Sequence, residues 1–220
     1  MIYGFIGTGV ISEAIITGMM RSALPVTKVI VSPRNPEVAK ALAAQFPKVE
    51  IAADNQAVAD GTGILILAVR PQMAEEVIRE LVIPPGTKII SLIAGTSHDR
   101  LSAWTGHPAA EIVRAVPLPF VAYGEGVTAV FPSDPATEKL FDALGKAVVC
   151  HDQNEFDLLA VATALMGTYF GVMERTSAWL VGKGLQTVNE ELRGHRDTLE
   201  RLEAEIAALE QGPARLLPVN

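Results

Sequence analysis

The sequence predicts an α/β protein, with a doubly wound, mostly parallel sheet followed by a small all-helical region. Three observations carry that expectation. Short apolar runs alternate with amphipathic helical stretches over about the first 150 residues, the pattern of strand–helix–strand crossovers. The run at 63–69 is continuously apolar, as in a parallel strand covered on both faces, and 88–93 reads as the next buried strand. From Asn154 onward no strand pattern remains, only long helical stretches.

In chain order, Ile2, Tyr3, Phe5 and Ile6 form the first run, which stops at Gly7-Thr8-Gly9-Val10-Ile11-Ser12. Ile11, Ala14, Ile15, Gly18 and Met19 then recur at helical spacing, and residues 27–31 form a second strand. Residues 36–46 are Ala- and Leu-rich, with Val38, Leu42 and Phe46 as apolar positions of a helix. Residues 49–52 make a short strand, and Asp54-Asn55 starts a helical turn through Val58. After the strand at 63–69, Pro71 stands where a helix begins, with Met73, Val77, Ile78 and Leu81 as its apolar face. Pro84-Pro85-Gly86 turns the chain into the strand at 88–93, and Ser97 is placed to cap a helix over 98–104. A strand at 111–116 runs into the proline-broken loop Pro117-Leu118-Pro119-Phe120. Residues 126–131, a helix over 136–144 and a run at 147–150 complete a first domain, placed at 1–152.

Residues 153–220 are the second domain, all helical. Glu190 to Glu210 is a charged amphipathic stretch whose Leu192, Leu199, Leu202, Ile206 and Leu209 lie near heptad spacing. Two helices of this kind lack neighbours to bury both faces, so a partner chain is the expected cover.

The net charge of −7 and a pI near 5.1 argue against a general nucleic-acid or anionic-membrane binder. A single cysteine, Cys150, forms no intramolecular disulfide and suits a reducing compartment. Residues 1–6 read as a strand rather than a signal peptide, and no apolar run is long enough for a membrane helix. The expected setting is cytoplasmic. His98, His107, His151 and His195 are scattered without the paired spacing of a metal site, so no metal is expected. Neither a Gly-x-Ser-x-Gly elbow nor a P-loop occurs.

The sharpest functional signal is the opening strand–turn–helix–strand unit. A phosphate-binding turn needs glycines for a tight bend and for close approach of backbone to a pyrophosphate. Gly7 and Gly9 meet these needs, with Thr8, Val10 and Ile11 completing the turn and Ser12 where a third Gly or Ala would stand. This is the dinucleotide fingerprint of a Rossmann-type domain. An NAD site wants an Asp or Glu after the second strand to bind the ribose hydroxyls. Here Ser32, Arg34 and Asn35 stand instead, with no carboxylate before Glu37. A hydroxyl, a guanidinium and an amide donate to a 2′-phosphate, so the expected cofactor is NADP(H).

Ala68-Val69-Arg70-Pro71-Gln72, together with 5–12, Asp54-Asn55-Gln56, 91–95 and 124–128, resembles the pyrroline-5-carboxylate reductase family. The resemblance covers about residues 1–185. It implies a Rossmann domain followed by a helical dimerisation domain, and NADPH-dependent reduction of the cyclic imino acid 1-pyrroline-5-carboxylate to L-proline in proline biosynthesis. It also implies a homodimer or larger homo-oligomer through the C-terminal helices. By this resemblance Asn55 lies at the adenosine ribose, and Ala68, Val69, Arg70 and Pro71 lie beside the nicotinamide half. Arg70 replaces the family's lysine. Leu118 replaces an asparagine, and Met166-Gly167-Thr168-Tyr169-Phe170-Gly171-Val172 retains only Gly167 and a hydroxyl of the family's substrate-binding helix start. A helical block expected near 184–186 is missing.

Reduction of an imine needs a positioned hydride donor and a protonated ring nitrogen, and a substrate carboxylate needs hydrogen-bond donors. Thr163, Thr168 and Thr176 lie along one helical stretch as candidate catalytic and substrate-binding hydroxyls; the alternative is that they cap or pack the helix. The departures at Leu118 and 166–172 leave two other readings open. One is an NADP(H) oxidoreductase of the same scaffold acting on another imine or a hydroxy or keto acid. The other is a non-catalytic NADP(H)-binding protein.

Overall fold

A computed structural model of the chain describes residues 1–183, with side chains throughout except at 166–170, Glu174 and Val181. It divides into two compact units, Met1–Ala164 and Leu165–Asn220. The expected helix at 190–210 and the expected gap near 184–186 lie outside the described residues.

Eight strands form one sheet in the order β3-β2-β1-β4-β5-β6-β7-β8. They are β1 (Ile2–Ile6), β2 (Lys28–Val31), β3 (Val49–Ile51), β4 (Ile64–Leu67), β5 (Lys88–Ser91), β6 (Ile112–Val116), β7 (Gly126–Phe131) and β8 (Gly145–Val149). All neighbours pair in parallel except β6 and β7, which run antiparallel. The link between these two is too short for a crossover helix, so the chain has to double back.

Side chains alternate across the strands, and each face gathers its own helices. Tyr3 and Phe5, Ile64 and Ile66, and Val113 face a core with α1 (Val10–Arg21), α2 (Pro36–Gln45) and α6 (Pro135–Asp142). Ile6, Leu65, Leu67, Ile89 and Ile112 face a second core with α3 (Asn55–Asp60), α4 (Pro71–Arg79) and α5 (His98–Thr105). Both faces are covered, as the apolar runs predict. Trp104 packs in the second core, whereas Trp179 is exposed in the single chain.

The proline-broken loop differs from expectation. Pro119–Tyr123 is a short 3-10 turn that lies on α1. A Cβ at Gly18 would collide with the Val121 carbonyl, so the glycine is what lets the turn dock there. Pro119 supplies the fixed φ at its first position.

Helices α3, α5 and α6 open on acidic or hydroxyl caps. Asp54 accepts from the Ala57 N–H at 2.8 Å and Ser97 from Arg100 N–H at 3.4 Å. Asp134 is the most committed. It accepts from the Thr137 N–H and hydroxyl and pairs with Lys88 at 2.7 Å. Burial alone would raise its carboxyl, but hydrogen bonds from Lys88 and Thr137 hold it below the ordinary aspartate value. A lowered carboxyl contributes stability that is present above the unfolded-state pKa, about 4. That stability is lost as pH falls through the lower folded value. Asp134→Ala is therefore expected to cost about 1–2 kcal/mol near neutrality. In acid melts the gap to wild type should close below about pH 4.

Helix α7 (Gln153–Gly182) begins on Asp152, which accepts from the Glu155 N–H at 2.8 Å. Asp152 is thus a helix cap. The first turn of α7 is tied to the sheet through a polar chain that the sequence did not announce. Buried Arg114 of β6 donates to Asp157 at 3.2 Å and stacks 4.5 Å over Phe156. Gln153 donates to the same Asp157 oxygen, and its own carbonyl oxygen faces His98 Nδ1 at 3.0 Å.

Candidate active site: the glycine turn at the strand ends

The site forms where β1 ends between β2 and β4. Connections depart in opposite directions from this point, making it the switch point at which open α/β sheets bind ligands. Gly7 adopts φ +99°, and a Cβ there would lie 2.5 Å from the Ala68 carbonyl oxygen. Only glycine combines that φ with that contact. Gly9 is the N-cap of α1 with extended backbone, and nothing lies within 4 Å of where its Cβ would be. That space is the room a pyrophosphate needs. The first backbone N–H groups of α1, at Val10, Ile11 and Ser12, have no intrahelical acceptor and carry the positive end of the helix dipole. Val10 is 73% exposed at this mouth. Ser12 is buried and donates to the Gly7 carbonyl at 2.7 Å, closing the turn where a third glycine was looked for.

Beyond β2, Arg34 is exposed and makes no ion pair among the described residues. Asn35 is the N-cap of α2, yet its side chain makes no capping bond. Both keep their donors for an anion, and no carboxylate stands beside them in sequence until Glu37. Asn55, the first residue of α3, is partly exposed. On the other side, Ala68 and Val69 are half-buried, Arg70 is the exposed N-cap of α4, and Pro71 is its first residue. The chain's own residues thus fit a dinucleotide with a phosphorylated ribose. Free N–H groups open α1, uncommitted donors follow β2, and the space at the Gly9 Cβ is open.

Two expectations need correction. Ser32 is not turned out as a 2′-phosphate donor, because it is fully buried and its hydroxyl accepts from the Gly7 N–H at 3.0 Å. Thr8 is 3% exposed, and its hydroxyl donates to the Ser32 carbonyl at 2.8 Å. Both side chains brace the turn from inside. The threonines of α7 also differ. Thr163 donates to the Leu159 carbonyl and Thr176 to the Val172 carbonyl, each at 2.8 Å. A carboxylate needs donors, and these two protons are spent on the helix. The Thr168 side chain lies outside the described residues. Among the described residues no cluster of His, Cys, Asp or Glu is placed to hold a metal ion, and no helix is long and apolar enough to cross a membrane.

Comparison with known proteins finds NADP(H)-dependent oxidoreductases and pyrroline-5-carboxylate reductases. Residues 2–95 match the family model described as NADP oxidoreductase coenzyme F420-dependent. Pyrroline-5-carboxylate reductase of Haemophilus influenzae is 30% identical over 181 residues, 77% of this chain; the chain spans 65% of that protein's length. The Pseudomonas aeruginosa enzyme of the same name is 24% identical over 212 residues, covering 92% of this chain and 74% of that one. The 1-pyrroline-5-carboxylate reductase of Streptococcus pyogenes superposes with a TM-score of 0.72 at 22% identity, over 99% of this chain and 82% of that one. In sequence along most of its length, and in fold over the described residues, the chain is similar to pyrroline-5-carboxylate reductases.

Proposed function

We propose that the protein is an NADPH-dependent reductase of a cyclic imine, converting 1-pyrroline-5-carboxylate to L-proline. The observation that carries this reading is the turn geometry at Gly7 and Gly9 in a chain similar to these reductases, with Arg34 and Asn35 unpartnered among the described residues beyond β2. In it, the N–H groups at the start of α1 hold the pyrophosphate and Arg34 and Asn35 hold the 2′-phosphate. Asn55 lies at the adenosine ribose, and Ala68 to Pro71 line the nicotinamide half. The dihydronicotinamide supplies the hydride when bound. Thr168 is the remaining threonine candidate for the substrate carboxylate.

The domain assignment, 1–152 for the cofactor and 153–220 for substrate and dimerisation, belongs to the same proposal. A homodimer or larger homo-oligomer is supported by α7, where Leu158, Val161, Leu165, Val172 and Trp179 are each exposed. Their spacing is that of a heptad seam, which needs a partner helix. A cytoplasmic setting fits the lone, buried Cys150.

A second reading, reduction of a different imine, is favoured by Leu118 and by the altered segment 166–172. The test is incubation with NADPH and either 1-pyrroline-5-carboxylate or a panel of cyclic imines lacking the carboxylate. The first reading expects proline from the carboxylated substrate. Turnover restricted to the uncarboxylated imines would establish the second.

A further inference from the structure

We infer that Ser32 is a positioning residue of the glycine turn, governing affinity for the pyrophosphate common to NADPH and NADH rather than for the 2′-phosphate. The inference rests on the proposed NADP(H) site and assigns the residue beside it that holds the turn in shape.

The hydrogen-bond inventory carries it. Ser32 is laced into its neighbours by every polar group it owns. Its N–H donates to the Phe5 carbonyl at 3.0 Å. Its carbonyl accepts from the Thr8 hydroxyl at 2.8 Å. Its hydroxyl oxygen accepts from the Gly7 N–H at 3.0 Å. Ser32 Oγ and Thr8 Oγ1 are 3.1 Å apart. The Thr8 proton is committed to the Ser32 carbonyl, so the Ser32 proton is the one that fills this last contact. The loop closes with no donor left over, and neither residue is more than 3% exposed.

The residue locked by this loop is Gly7, at φ +99° against Ala68. Its N–H is spent on Ser32, so the phosphate-facing donors belong to the start of α1. Ser12, donating to the Gly7 carbonyl, holds the other side of the same peptide. Gly7 is thereby clamped at both its N–H and its carbonyl by side chains from two elements. The consequence is separable from charge recognition: losing the Ser32 hydroxyl should loosen the turn for any dinucleotide, whatever its ribose carries.

The test is Ser32→Ala, read in two ways. In the ligand-free protein, hydrogen exchange at the Gly7 amide should be slow in wild type and at least about tenfold faster in the variant, since its sole acceptor is gone. In titrations, the Kd values for NADPH and NADH should both rise about five- to tenfold, leaving their ratio unchanged. Arg34→Ala serves as the contrast, weakening NADPH alone. Fast Gly7 exchange in wild type would overturn the clamp. So would a Ser32→Ala protein that loses NADPH while sparing NADH, or one whose two Kd values do not move. If Ser32→Ala does not fold, Thr8→Val removes the other half of the loop, and the same equal weakening is expected, with the same outcomes decisive. A wild-type chain that binds neither nucleotide would overturn the proposed cofactor site, and Gly7 exchange would still decide the clamp.

Discussion

Gly9→Val is expected to leave the fold standing and to remove cofactor binding. The backbone at Gly9, φ −101° and ψ −171°, suits any residue, and no atom lies within 4 Å of the missing Cβ. The fold should lose only about 1 kcal/mol, because valine is a poorer N-cap than glycine. The isopropyl group would fill the space into which a pyrophosphate must come. NADPH affinity should fall by about 2 kcal/mol or more, roughly 30-fold, as measured by calorimetry alongside a thermal melt. The contrast is Gly7→Ala, where φ +99° and the Ala68 carbonyl penalise the fold as well. A Gly9→Val protein that binds NADPH like wild type would mean that the turn is only a structural bend.

The second large effect is expected at Arg34. The side chain is exposed and makes no ion pair among the described residues, so Arg34→Glu should change stability by no more than about 0.5 kcal/mol. It exchanges a charge-assisted donor for a carboxylate at the point that chooses between a 2′-phosphate and a 2′-hydroxyl. Loss of hydrogen bonds to a dianion is worth about 2–3 kcal/mol, so NADPH should weaken by about 30- to 150-fold. NADH should hold or tighten, because a carboxylate there accepts from the ribose hydroxyls. Equal weakening of both nucleotides would remove Arg34 from the 2′ position.

Much of the fold follows from local pattern. The runs that became β4 and β5 are apolar on both faces because helices cover both faces, and that requirement is written in consecutive residues such as Ile64 to Leu67. Helix starts were equally legible at Asp54 and Ser97, since those capping bonds span three residues. The turn at Pro119–Tyr123 was not, because what holds it is the missing side chain of Gly18, a hundred residues away. The reversal of β7 was implicit in the shortness of its link to β6, which leaves no length for a crossover.

The site divides along the same line. Gly7 and Gly9 declare themselves through spacing and context. Ser32 had the right chemistry for a phosphate and the right neighbours in sequence, but a hydroxyl bonds whichever donor it faces, and the chain turns it toward Gly7. Thr163 and Thr176 follow the alternative left open for them, for a related reason: a threonine inside a helix has a carbonyl within reach four residues back. Arg114 went unremarked because a lone arginine in a strand gives no hint of Asp157, which α7 brings to it from far along the chain.

The central claim is that the ends of β1 and β2 form a site for NADP(H). Titration of the wild-type protein with NADPH and NADH under identical conditions tests it most directly. Arg34 and Asn35 predict NADPH binding at least about tenfold tighter, the equivalent of one charge-assisted hydrogen bond. Equal affinity for the two nucleotides, or none for either, would contradict it.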